Sequence, residues 1–251
     1  MSADDPLSRA RIAAVDPDGL LAEILDLPEH LRDALWRVES ANIAAQATPG
    51  GLAVVGVDGL QRGGELAREA LLPDLAGPLS TWPGPPPEPS PRPTTTLLVS
   101  YSGEDPPVLE AFAAAADTRR VVLTTGGALA GAARGARVPV VPLPGGFPFP
   151  AAAMGYSLVV TLELARLAGL TGANRDRVET AAAHVARLAR NWGPDSPVDS
   201  PLKRLAHTVD AGRASDWTPS PVEAGETPLQ RVVTQLLLEN LLALYRRALA
   251  A

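Results

Sequence analysis

Ser100, Ser102 and Gly103 lie between an apolar run and a segment able to open a helix, in LLVSYSGEDPPV (97–108). Small hydroxyl residues and glycine at a strand-to-helix turn suit a loop that wraps an anion. Backbone N–H groups and hydroxyls then face the anion from a helix N-terminus, where the macrodipole favours negative charge. Glu104 and Asp105 follow at once and put negative charge where that anion would sit. Like charges a few ångströms from a phosphate cost on the order of 1–4 kcal/mol each, so the two acids are read as having replaced it. Asp105 before Pro106 is also an N-cap pair, its carboxylate disposed to accept orphan N–H groups of the helix. Capping is preferred to an acid/base role, because adjacent residues rarely converge on one substrate atom. Two further glycine turns follow apolar runs: Gly56-Val57-Asp58-Gly59-Leu60 and Thr124-Thr125-Gly126-Gly127.

The elements that must position these turns are four apolar runs: LAVVGV (52–57), TTLLVS (95–100), RVVLT (120–124) and VPVVPL (138–143). Short, almost wholly apolar runs are the mark of buried parallel strands. Their alternation with helical segments at 106–116 and 128–135 predicts right-handed βαβ units and a parallel sheet of four or five strands. Ligands of such sheets bind beyond the carboxyl ends of the strands, where all three turns fall.

The fold class is therefore α/β, with extra helices at both ends. Residues 1–48 read as a helical extension, 49–172 as the α/β domain and 173–251 as a C-terminal helical region. The apolar stretch FPAAAMGYSLVVTLELARLAGL, interrupted by Pro150, Glu163 and Arg166, predicts a buried helix rather than a membrane span. Asn174, Ser200-Pro201 and Thr227-Pro228 are the expected starts of the later helices. PGPPPEPSPRP (83–93), with seven prolines in eleven residues, predicts a stiff surface connector. DAGRASDWTPSPVEAGE (210–226) has no periodicity and predicts a loop.

Net charge is −6, so the chain lacks the basic footprint of a nucleic-acid binder, and no Lys/Arg run suggests an anionic membrane surface. Absence of cysteine excludes disulfides, thiolate metal sites and a cysteine nucleophile. His30, His184 and His207 show no metal-ligand spacing, and no metal or cofactor is expected. The polar, acidic N-terminus lacks a signal-peptide pattern, which predicts a cytoplasmic protein. The Ala/Leu-rich faces of 153–170 and 230–249 predict a homodimer.

SYSG after one strand, TTGG after the next, then PLPGG, PAAAMGYS and SPLKRLA, with LPEHLRDAL upstream, form an ordered set. In that order the chain resembles the SIS (sugar isomerase) family, and within it the bifunctional phosphoglucose/phosphomannose isomerases. The resemblance spans about residues 18–210 and the C-terminal helix. It implies a three-layer sandwich around a parallel sheet, a sugar or sugar-phosphate ligand at the strand ends, and a dimer. Carried over residue by residue, it marks Gly56, Gly59, Ser100, Tyr101, Ser102, Gly103, Thr124, Thr125, Gly126 and Gly127 as ligand-binding. Lys203 and His207 are secondary candidates, on a helix that the family places near the site.

The departures matter as much. Leu60 stands where the family has a phosphate-binding serine, Glu104 and Asp105 where it has Asn-Thr, and Ala151 where it has a reactive-site arginine. About sixteen polar residues occupy the place of a second SIS domain, which supplies the family's base and its ring-opening histidine. No residue is therefore assigned a catalytic role. The resemblance implies a degenerate carbohydrate-derivative-binding protein. Its alternatives are an active glucose-6-phosphate/mannose-6-phosphate isomerase and a structural subunit whose pocket is filled by its own side chains.

Overall fold

The computed structural model describes residues 5–86, 92–210 and 220–251. In chain order the elements begin with α1 (Arg9–Val15), α2 (Leu20–Leu25), α3 (Leu27–Ser40), β1 (Leu52–Gly56) and α4 (Gln61–Leu71). Next come β2 (Leu79–Trp82), β3 (Thr95–Ser100), α5 (Pro106–Ala114), β4 (Arg119–Thr124), α6 (Gly127–Gly135) and β5 (Val140–Pro142). A 3-10 turn (Pro150–Ala153) leads into α7 (Met154–Leu167), followed by α8 (Arg175–Trp192), α9 (Pro201–Asp210), α10 (Pro221–Ala224) and α11 (Pro228–Leu249).

The five strands form one all-parallel sheet in the order β2-β1-β3-β4-β5. All four predicted strands are present. The fifth, β2, escaped the reading because LSTW is a short edge strand between Pro78 and Pro83, with only Leu79 buried. Val55, Leu98 and Val122 share one sheet face and pack on Val108, Ala111 and Phe112 of α5 and on Leu129 and Ala133 of α6. The other face carries α4 and α7. A methyl group added at Gly64 of α4 would lie 3.0 Å from Val54 Cβ, so the glycine lets that helix close onto β1.

Helix α7 is buried nearly all round, as its apolar sequence predicts, and its buried Glu163 is neutralised by Arg166 at 2.5 Å. Among the described residues, no helix is long and apolar enough to cross a membrane.

Two compact units emerge, His30–Glu179 and the pair Met1–Glu29 with Thr180–Ala251. The division differs from sequence boundaries at 48/49 and 172/173, because the two chain ends form one helical unit together. In that unit α11 packs on α1, α2 and α9. Its buried Tyr245 donates its hydroxyl to the Trp192 carbonyl at 2.6 Å. Thr227 and Gln230 make a reciprocal capping box at the start of α11, and Pro228 follows the cap as expected. Asn174 behaves otherwise: its amide nitrogen donates to Leu162 O at 2.7 Å while its Oδ1 is buried without a partner, so it ties the chain back to α7. The proline tract lies partly outside the described residues, as does most of the expected loop at 210–226, whose C-terminal part forms α10.

Candidate functional site

Three adjacent strands, β1, β3 and β4, deliver the three glycine-containing turns to the same sheet edge. The order reverses between β1 and β3, which is the switch point where doubly wound sheets open a crevice. Gly56, Gly59, Ser100, Tyr101, Ser102, Gly103, Thr124, Thr125, Gly126 and Gly127 therefore all occupy the carboxyl end of the sheet. Lys203 and His207 belong to the other unit.

The loop after β3 is cross-braced internally. Ser100 is fully buried, donates its hydroxyl to the Asp105 carboxylate and accepts Gly103 N–H at 2.8 Å. Ser102 accepts Glu104 N–H at 3.1 Å. Gly103 has φ 77°, and a methyl group on it would overlap Gly126 O. Only glycine fits there, because the loops after β3 and β4 touch through backbone. Thr125 donates both its N–H (3.1 Å) and its hydroxyl (2.7 Å) to Tyr101 O, which completes the join.

The acids divide the capping work differently from expectation. Asp105 is the N-cap residue of α5, yet its carboxylate makes no bond to that helix and holds Ser100 instead. The helix's first N–H groups are served by the Asp105 carbonyl, 3.0 Å from the N–H of Val108 and of Leu109. Glu104 reaches across to the next helix: its Oε1 accepts Ala128 N–H at 2.8 Å in the first turn of α6. A chain carboxylate thus occupies the helix N-terminus that an anionic ligand would use. The loops at 56–60, 100–105 and 124–127 contain no Lys or Arg, and they carry three carboxylates at Asp58, Glu104 and Asp105.

After β1, Asp58 (φ 55°) and Gly59 (φ 83°) are both left-handed, and a methyl group at Gly59 would meet Ala151 Cβ at 3.0 Å. The position where the resemblance places an arginine therefore lies against the first glycine turn. Leu60 is fully buried, so its side chain belongs to the core rather than to the loop surface.

An aromatic corner at the same sheet edge was not anticipated. Phe147 contacts His30 (5.2 Å between ring centroids), Tyr156 (5.9 Å) and Tyr101 (6.3 Å). Phe147 N–H donates to the Tyr101 hydroxyl at 2.9 Å, fixing the segment after β5 beside the SYSG loop. Tyr156 donates to Asp33 Oδ2 at 2.8 Å, and Arg37 holds the same oxygen at 2.6 Å. Gathering of two of the three tyrosines in an aromatic-poor chain would have been the signal, but their 55-residue separation hides it.

Lys203 is 1% exposed and spends its ammonium on Asp5 (2.7 Å), Pro194 O (2.8 Å) and Ser196 O (3.0 Å), which leaves no donor for a ligand. His207 is exposed. Among the described residues, no group of three or more acidic or histidine side chains is placed to hold a metal ion.

No family model and no curated protein matches the chain. Its fold is similar to that of a hypothetical protein from Thermus thermophilus, at a TM-score of 0.56 and 19% identity, covering 82% of this chain and 52% of that one. A second solved structure, provisionally assigned as a tagatose-6-phosphate ketose/aldose isomerase from Clostridium novyi NT, aligns at a TM-score of 0.47 and 12% identity, over 82% of this chain and 55% of that one. The chain spans about half the length of each, and at these identities the likeness concerns fold alone.

Proposed function

We propose that the chain is an SIS-type carbohydrate-derivative-binding protein, related to the phosphoglucose/phosphomannose isomerases and without isomerase turnover. The observation that carries this reading is the convergence of Gly56–Leu60, Ser100–Gly103 and Thr124–Gly127 on one sheet edge, in the order of the resembling motifs. Aldose–ketose isomerisation needs a base within hydrogen-bond reach of the sugar C1/C2 protons and a group that opens the ring. Glu104 and Asp105, the carboxylates nearest that role, are engaged with Ala128 N–H and the Ser100 hydroxyl. Their charge also disfavours a phosphate dianion, so sugar phosphates should bind more weakly than the corresponding free sugars.

Calorimetry against glucose, mannose and their 6-phosphates tests the reading, with Gly126→Phe as the occluding variant. A Cβ added at Gly126 meets no atom within 4 Å, so the position has open space beside the loops from which a larger side chain can start. Binding of at least one sugar, lost in Gly126→Phe at unchanged Tm, is the expected result. A coupled assay with fructose 6-phosphate should stay below about 1 s⁻¹, the low end of usual enzyme turnover. Equal binding by wild type and Gly126→Phe, or turnover above that value, rejects the proposal.

A further inference from the structure

On the α5 face of the sheet, two neighbouring rungs are filled differently. Val55 and Leu98 meet Val108 and Phe112, with Trp82 of β2 packed at their margin. One rung towards the amino ends, Ser80, Ala53 and Thr96 are in register, and α5 offers them Ala111 and Ala114. Small side chains face small side chains there, and a cavity of about 220 Å³ stays open between the sheet and the helix. Packed interiors leave few voids larger than a water molecule, so a space of this size sets that rung apart from the core above it.

The lining has a defined chemistry. Trp82 Nε1 donates to Ser80 Oγ at 3.1 Å, which holds the indole back along β2 as one wall. Thr96 is 4% exposed, and its hydroxyl lies 3.1 Å from Thr118 Oγ1. Thr118 donates its proton to Ala115 O at 2.9 Å, so Thr96 is the donor of that pair and its own lone pairs are left to accept. Among the described residues, no charged side chain lines the space. Arg120, beside Thr96 on the same rung, is committed to the Phe112 ring (4.3 Å) and carbonyl (2.9 Å).

We propose that this cavity binds a small neutral aromatic molecule carrying a hydroxyl group, a monocyclic phenol, with Thr96 as the hydrogen-bond acceptor. The cavity lies towards the amino ends of the strands, and nothing in it depends on a sugar binding at the opposite edge. An apolar cavity of about 150 Å³ admits benzene, and the larger volume here fits a ring with one or two substituents. Contact with Trp82 favours a ring over an aliphatic chain. A carboxylate or an amine would lose its hydration and gain no partner of opposite charge, which excludes both.

Calorimetry and amide NMR of the full chain with p-cresol, toluene and benzoate test the site. p-Cresol should bind with a Kd near or below about 1 mM, and benzoate should not bind. Shifts should fall on amides of 80–82, 95–97 and 111–118 and spare the turn at 124–127. Thr96→Val keeps the shape and removes the hydroxyl, so it should weaken p-cresol at least fivefold and leave toluene unchanged. Ala114 is an exposed rim position of α5. Ala114→Leu extends a side chain over the cavity and should weaken p-cresol at least tenfold without lowering Tm. Ser80→Leu, on edge strand β2, fills the space from the other side and gives the same readout if the helix variant misfolds. Absence of p-cresol binding, equal binding of benzoate, or shifts confined to the turns at 100–105 and 124–127 overturns the proposal. So does wild-type affinity in a folded filled variant, or a p-cresol affinity that Thr96→Val leaves unchanged.

Discussion

Lys203 illustrates how one buried charge decides the behaviour of a helical unit. Its ammonium makes three hydrogen bonds, one to Asp5 and two to carbonyls of the 194–196 segment. Lys203→Met leaves the carboxylate and both carbonyls without their donor, and breaking such a pair costs about 3–5 kcal/mol. Chemical denaturation should show that loss, and adding Asp5→Asn should recover part of it by removing the orphaned charge. The Asp5 carboxyl is held below its ordinary value of 3.8: burial pushes it up, but the Lys203 ammonium and Leu7 N–H outweigh burial. A lowered carboxyl contributes stability above its unfolded value that is lost as pH falls through its folded one. Below about pH 4 the wild type should therefore lose stability that Lys203→Met has already lost, and the two acid limbs should converge. The same residue scale explains the candidate site's acids. Adjacency of Glu104 and Asp105 was legible, but that Glu104 takes Ala128 N–H while Asp105 takes the Ser100 hydroxyl depends on where α6 and β3 end up in space.

At the scale of elements, small residues decide how closely the layers meet. Gly63 lies where α4 crosses α7: a methyl group on it would be 2.6 Å from Ser157 Cβ and 2.7 Å from Leu158 N. Alanine has the better helix propensity by about 1 kcal/mol, so an exposed Gly63 would gain from the change. Here the clash is with helix backbone, and overpacking of a close-packed interface costs about 1–3 kcal/mol. Gly63→Ala is accordingly expected to destabilise the α/β unit, measured as a fall in Tm. A rise in Tm would show that α4 and α7 can separate freely. β2 belongs to this scale as well. Four residues between prolines, one buried and three half-buried, carry almost no strand signal, and pairing with β1 is what makes them a strand.

Over the whole molecule, the apolar faces that suggested a dimer are already covered within one chain. Leu158, Val160, Leu162 and Leu164 of α7 and Val233, Leu237 and Leu241 of α11 are each at most 1% exposed. Homodimerisation, still a proposal, would have to use other surfaces. Leu237→Asp separates the two roles, since a dimer seam would yield a folded monomer of 26.0 kDa. A buried, unpaired carboxylate instead costs several kcal/mol, so loss of helical circular dichroism is the expected outcome, before any change in sedimentation of a folded species.

Sequence by itself determined the α/β class, four of the five strands and the place of the glycine turns beyond their carboxyl ends. Those features rest on local signals: apolar runs of strand length, glycine after them and helix-capping residues such as Thr227, each acting within a few residues. Tertiary structure alone decided the rest. Joining of the two chain ends in one helical unit, capture of α6 by Glu104, commitment of Lys203 to Asp5 and the meeting of Tyr101, Phe147, Tyr156 and His30 all link residues 24 to 198 positions apart or lie between distant segments. A polar side chain's partner depends on which donors the packed chain brings within about 3 Å, and no periodicity along the sequence records that distance.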